Sequence, residues 1–148
     1  MRKQIFSAVV AGCFLALLIA APARAQVPGT TVRATIPFDF IVRGKTLPAG
    51  FYEIRRIGDS PQGLIIQNVN EKHDHVIFET EPVQPKEIPN RGEIVFHRYG
   101  DTYFLSEVLR SGEETGQELM PSRAEQELRR EMASNGAKPE TVALAVYN

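Results

Sequence analysis

Cysteine is almost missing from this 148-residue chain: Cys13 is the only one. It stands in an apolar stretch near the N-terminus. The chain beyond it therefore has no disulfide, no thiol nucleophile and no thiolate metal ligand. Tryptophan is absent, and histidine occurs three times. Neither the G-x-S-x-G nucleophile motif nor the H-E-x-x-H zinc motif occurs. An excess of basic residues is lacking too, with 17 Lys and Arg against 18 Asp and Glu. Phosphate neutralisation needs a basic surface, so these absences point away from nucleic acid and away from enzymatic chemistry.

What is present begins with MRKQIFSAVVAGCFLALLIAAPARAQ. Arg2 and Lys3 precede an apolar run from Ile5 to Ala21, and Ala23-Arg24-Ala25 fits a small-x-small processing site. This is the layout of a secretory signal peptide over residues 1–25, cleaved to leave a single domain over 26–148. Of the 17 basic residues, Arg2, Lys3 and Arg24 leave with it. The remaining 14 face 18 acidic residues, so the formal net charge becomes −4. Export to the periplasm or the extracellular space follows, with no stable membrane span after cleavage. The alternatives are a retained anchor, for which the apolar run is slightly short, and a lipoprotein modified at Cys13.

Residues 31–42, TVRATIPFDFIV, place Val32, Ala34, Ile36, Phe38, Phe40 and Val42 at every second position. That period predicts a strand with one buried face, and Pro37, which lacks a donor, predicts an edge position or a bulge. Further strands are expected over 51–57, 64–69, 75–81, 93–99, 102–110 and 141–147. Turn chemistry lies between them: Arg43 to Thr46 with Gly44, the corner Leu47-Pro48-Ala49-Gly50, the polar loop 70–74, and Gly100-Asp101. Glycine first in a two-residue loop suits a type II′ hairpin, which sets His97 opposite Phe104 and Phe96 opposite Leu105. Residues 82–89, PVQPKEIP, read as an extended connector.

One helix is expected over about 122–134. Ser122 and Glu125 form a capping box, in which the serine oxygen accepts from the Glu125 amide and the Glu125 carboxylate reaches back to the Ser122 amide. Ala124, Leu128 and Met132 share one face, Glu125 and Arg129 form an i,i+4 pair, and Asn135-Gly136 marks the stop. The expected fold is therefore mainly β: one antiparallel sandwich or partly closed barrel of about seven strands, with a helix in the C-terminal region.

Three constellations invite sharper readings. Gly44-Lys45-Thr46 ends like a phosphate-binding loop. The first glycine of that motif would fall on Asp39, and Pro48 follows where a helix should begin, so no nucleotide site is expected. His73 and His75 share a strand face, and His97 could approach them. Three imidazoles can hold zinc or copper, yet sparse histidines in polar surroundings are usually solvated. No metal and no cofactor are expected, with His73, His75 and His97 the weak candidates. Paired carboxylates such as Glu79 and Glu81 could serve a hydrolase, but alternating charge on the wet face of a sheet is commoner.

Taken together, Phe40, Val42, Gly44, Leu47, Pro48, Ala49, Gly50 and Tyr52 spell F-x-V-x-G-x-x-L-P-A-G-x-Y. With the segment 93–131, the chain resembles a group of small exported proteins, frequent in Acidobacteria, to which no function is attached. The resemblance spans nearly all of residues 26–148. It implies export and a compact β-rich fold, and it brings no activity and no catalytic residues. The expected role is a non-catalytic binding or structural module of the envelope that engages an envelope protein through a sheet edge or loop face. The alternatives are a barrel-like carrier of a small apolar ligand, lined by the aromatics, and a hydrolase with a carboxylate site.

Overall fold

A computed structural model describes residues 31–147 as two packed β-sheets with one helix. The expected signal peptide, residues 1–25, and with it Cys13, lies outside the described residues. The first sheet runs β1-β4-β5-β6, built from Thr31–Ile36, Gly50–Arg56, Gly63–Asn68 and His75–Glu79. The second runs β11-β8-β9-β10-β7, with β11 at Glu140–Ala145, β8 at Glu93–Tyr99, β9 at Thr102–Leu109, β10 at Gly116–Glu118 and β7 at Glu81–Val83. A small hairpin of β2 (Phe40–Val42) and β3 (Lys45–Leu47) joins this sheet, β2 lying parallel to β9 through Ile41 and Phe104. Every other pairing is antiparallel. The sheets do not close on themselves, so the architecture is a sandwich and not a barrel.

The expected seven strands become eleven. All four additions, β2, β3, β7 and β10, are three residues long. They arise because the chain switches sheets. Pro37 follows the end of edge strand β1, and beyond it the same alternating pattern resumes in the other sheet as β2. The period survives the switch: Val32, Ala34, Ile36, Phe40 and Val42 are buried, and Phe38 packs against the core. Thr80 marks a similar crossing between β6 and β7.

The core lies between the sheets and is filled by side chains. Phe40 packs edge-on against Tyr52 across the sandwich at 5.1 Å and against Phe96 at 5.5 Å. Edge-to-face packing brings the positive ring rim to the negative face of its neighbour. Tyr52 is fully buried and donates its hydroxyl to the Pro48 carbonyl at 2.7 Å. This bond fixes the Leu47–Gly50 corner, as does Asp39, whose carboxylate accepts from the Ala49 amide at 2.9 Å. The turn before the corner is tighter than Arg43–Thr46. Only Arg43 and Gly44 turn, both with positive φ (52° and 85°), while Lys45 and Thr46 already pair in β3. Two positive φ values make the type I′ geometry that matches strand twist. Thr46 thus sits in a strand, and the next element is strand β4 rather than a helix.

The helix, α1, spans Arg123–Ser134 and ends in a Schellman arrangement. The Ala137 amide donates to Met132 O and the Gly136 amide to Ala133 O, with Gly136 at φ 71°.

Candidate functional site

Alternation along β8 sends Ile94 and Phe96 into the core and Glu93, Val95, His97 and Tyr99 to the outer face of the larger sheet. Neighbouring strands add Phe104, Glu107 and Leu109 from β9, Glu118 from β10, and Thr141 and Ala143 from β11. Two covers share this face. One is α1, over the Tyr99 end. The other is the connector from Val83 to Arg91, over the Glu93 end.

The helix is fastened by its acidic residue rather than by its apolar stripe. Glu125 is the buried side chain of α1, whereas Ala124 is exposed and Leu128 and Met132 are half-buried. Its Oε1 accepts from His97 Nδ1 at 3.0 Å and from the Tyr99 hydroxyl at 3.3 Å. The far ring nitrogen, His97 Nε2, meets Ser106 Oγ at 3.3 Å. A carboxylate can only accept, so Nδ1 carries a proton, and Nε2 is the ring nitrogen left to the serine hydroxyl. Tyr99 packs edge-on against Phe104, with ring centroids 5.6 Å apart. Burial, and then the neighbouring Glu125 charge, push the Tyr99 hydroxyl up to about 12.

Serine, histidine and carboxylate in series is the order of a nucleophile, a base and its orienting acid. Here the serine is 4% exposed, held in a β-bulge, and its own carbonyl accepts from the Leu119 amide at 2.7 Å. A reacting carbonyl would need to stand about 3 Å from this oxygen. Burial leaves this oxygen little access for a reacting carbonyl, and the series links helix to sheet as a polar staple.

Beside the staple, the connector leaves a groove of about 760 Å³ above the sheet. Val95 and Leu109 form its apolar floor, Glu93 and Glu107 stand at the sheet side, and the connector adds Lys86, Glu87 and Arg91, with Ile88 half-exposed. Glu107 is half-buried and lies directly across from Glu118. Burial first, and repulsion from Glu118 second, raise its carboxyl above the ordinary range, while His97 pulls it down. Such a carboxylate gains from a cation that approaches it within the groove.

The three histidines are not brought together. His73 lies in the loop before β6 and His75 opens β6 in the smaller sheet, whereas His97 belongs to the larger one. No group of three metal-ligating side chains forms among the described residues. His75 Nδ1 instead faces the Lys72 carbonyl at 3.2 Å. Ser122 Oγ accepts from the Glu125 amide at 3.2 Å. The return arm of the capping box is corrected: the Glu125 carboxylate turns to His97 and Tyr99, not to the Ser122 amide, and no ion pair joins it to Arg129 among the described residues. Gly100 has φ 62° and Asp101 does not share the positive value, as a II′ turn requires, and His97 lies opposite Phe104.

Sequence reasoning missed Ser106, Glu107 and Tyr99 as members of one face. The polar residues His97, Tyr99, Ser106 and Glu107, set among apolar neighbours in strands expected to be buried, were the available signal. No described helix is long and apolar enough to cross a membrane. Comparison with family models, with curated proteins and with solved structures returns no match to this chain.

Proposed function

We propose that the chain is a non-catalytic binding module of the cell envelope that holds an extended segment of a partner protein in the groove beneath residues 83–91. The observation that carries this reading is Glu107: a half-buried carboxylate on an apolar floor, forced against Glu118, in a groove open to a ligand. The segment carries a Lys or Arg side chain directed at Glu107, with apolar neighbours over Val95 and Leu109. Export rests on the sequence signal at residues 1–25, and kinship with the Acidobacterial group rests on the F-x-V-x-G-x-x-L-P-A-G-x-Y pattern. A carrier of a small apolar ligand would need room between the sheets, where Tyr52, Phe40 and Phe96 are fully buried.

Photo-crosslinking in the native envelope tests the proposal. A photoreactive side chain at Ile88 should capture protein peptides that contain a basic residue, and Glu107→Gln should weaken the capture. The same group at Ile77, on the outer face of the smaller sheet, serves as the control. Equal capture at both positions would refute the groove as the binding surface.

A further inference from the structure

At the end of the sandwich where β4 and β9 finish, two guanidinium groups face one small cavity. We propose that this cavity is a second binding site, one that takes a small monoanionic carboxylate gripped by Arg110 and Arg56. It lies between the sheets, on the opposite side of β9 from the groove, and its case is independent of the groove.

The cavity measures about 270 Å³, at the lower end of ligand-site volumes, and Pro61 and Pro82 contribute to its walls. Arg110 is only 6% exposed. Its Nη1 donates to Gln117 Oε1 at 2.8 Å and lies 3.7 Å from the Glu113 carboxylate. Gln117 is itself held, since its amide nitrogen donates to the Pro61 carbonyl. The remaining edge of the guanidinium, Nε and Nη2, has no hydrogen-bond partner among the described residues, and neither has the buried Nε of Arg56.

A buried donor without an acceptor is costly, and a buried charge more so. The Nε–Nη2 edge is also the one whose two N–H bonds run parallel and match the two oxygens of a carboxylate. Charge selects the ligand as well. Two guanidiniums against the single Glu113 carboxylate leave one net positive charge on the lining, which one negative charge neutralises. Burial lowers the pKa of Arg110, Glu113 raises it, and Arg56 lowers it further, so the pair of cations is held together against its own repulsion. An anion between them relieves both the repulsion and the missing acceptors.

Benzoate is the probe, with benzamide as its uncharged counterpart, and the readout is the Nε–H NMR signals of Arg56 and Arg110 at constant ionic strength. Saturable shifts of both signals with benzoate, and none with benzamide, are expected. Arg56 is half-buried, so Arg56→Gln keeps the fold and should weaken benzoate about tenfold, the scale of one charge-assisted hydrogen bond. Thr115→Trp, at an exposed lining position, should block binding while leaving the Arg110 signal in place. Absent or non-saturating shifts, or an affinity unchanged in both variants, would overturn the proposal.

Discussion

Replacing Glu125 by alanine should cost the protein about 2–4 kcal/mol, a large loss for one residue of a helix that is otherwise mostly exposed. The figure follows from what the carboxylate leaves behind. Tyr99 is 5% exposed, and its hydroxyl would lose its acceptor with no route to water, which costs about 1–3 kcal/mol. The His97 side chain is 25% exposed and can turn its Nδ1 toward solvent, so its share is smaller, about 0.5–1 kcal/mol. The backbone cap is spared, because Ser122 Oγ accepts from the residue-125 amide whatever side chain follows. Glu125→Gln keeps an acceptor oxygen in place and loses only the charge, and should cost about 1 kcal/mol. Tyr99→Phe removes the stranded donor, so combining it with Glu125→Ala should cost about 1 kcal/mol less than the sum of the two. Urea denaturation followed by far-UV circular dichroism measures all four variants. A Glu125→Ala protein within about 0.5 kcal/mol of wild type, or strict additivity with Tyr99→Phe, would refute the staple.

Gly44→Val and Gly50→Val should each lower stability by about 1–2 kcal/mol, by different routes. At Gly44 the φ of +85° is the whole penalty, since a Cβ meets nothing within 4 Å. At Gly50 the Cβ would stand 2.9 Å from the Asn68 amide nitrogen and disturb the side chain that accepts from the Asn70 and Glu71 amides; unchanged melting in both would contradict this account. Glu107→Gln should raise stability at pH 7 while it weakens partner capture. A raised carboxyl contributes stability below its unfolded pKa, near 4.5, and loses it as pH climbs through the folded value, so a variant with a flatter acid-side profile is the check. Tyr99 follows the same sign at the alkaline end: its contribution is complete below pH 10 and is lost between pH 10 and about 12, and Tyr99→Phe should remove that part of the alkaline destabilisation. A variant that melts along the wild-type curve through this window would sink the assignment.

The large strands were readable because one buried face imposes period two, and β8 matches its expected range residue for residue. The hairpin register was readable because a two-residue loop admits few geometries. The short strands β7 and β10 were not, because a three-residue strand has no period to detect and owes its existence to a neighbour distant in sequence. Val83 pairs with Gly116, and nothing in either segment announces the other. Glu125 shows a different limit. S-x-x-E before an apolar stripe encodes the cap, and the cap amide is bonded as that pattern requires, yet the carboxylate has two competing uses. Tertiary partners His97 and Tyr99, brought from 28 and 26 residues away, outcompete the local amide. The two-arginine cavity was silent for a similar reason, since Arg56 ends a strand of one sheet, Arg110 follows a strand of the other, and they converge only once the sandwich is built.

Both candidate sites depend on a single irregularity in β9. Phe104 lies opposite His97 and Leu105 opposite Phe96, but Val95 lies opposite Glu107, so Ser106 is an extra residue in the ladder. Side chains along a strand alternate between faces, and one inserted residue inverts the parity of everything after it. In an unbulged β9, Glu107 would point into the core with Leu109, while Val108 and Arg110 would point outward. The bulge reverses this. Val108 enters the core, Glu107 and Leu109 line the outer groove, and Arg110 turns back between the sheets toward Gln117. Short strand β10 follows suit, with Gln117 inward against Arg110 and Glu118 outward against Glu107. Ser106 secures the extra residue twice, through its carbonyl to the Leu119 amide and its hydroxyl to His97. Ser106, the serine of the Ser-His-Glu series, is thus the pin that sets the Glu107 groove on one face of β9 and the two-arginine cavity on the other.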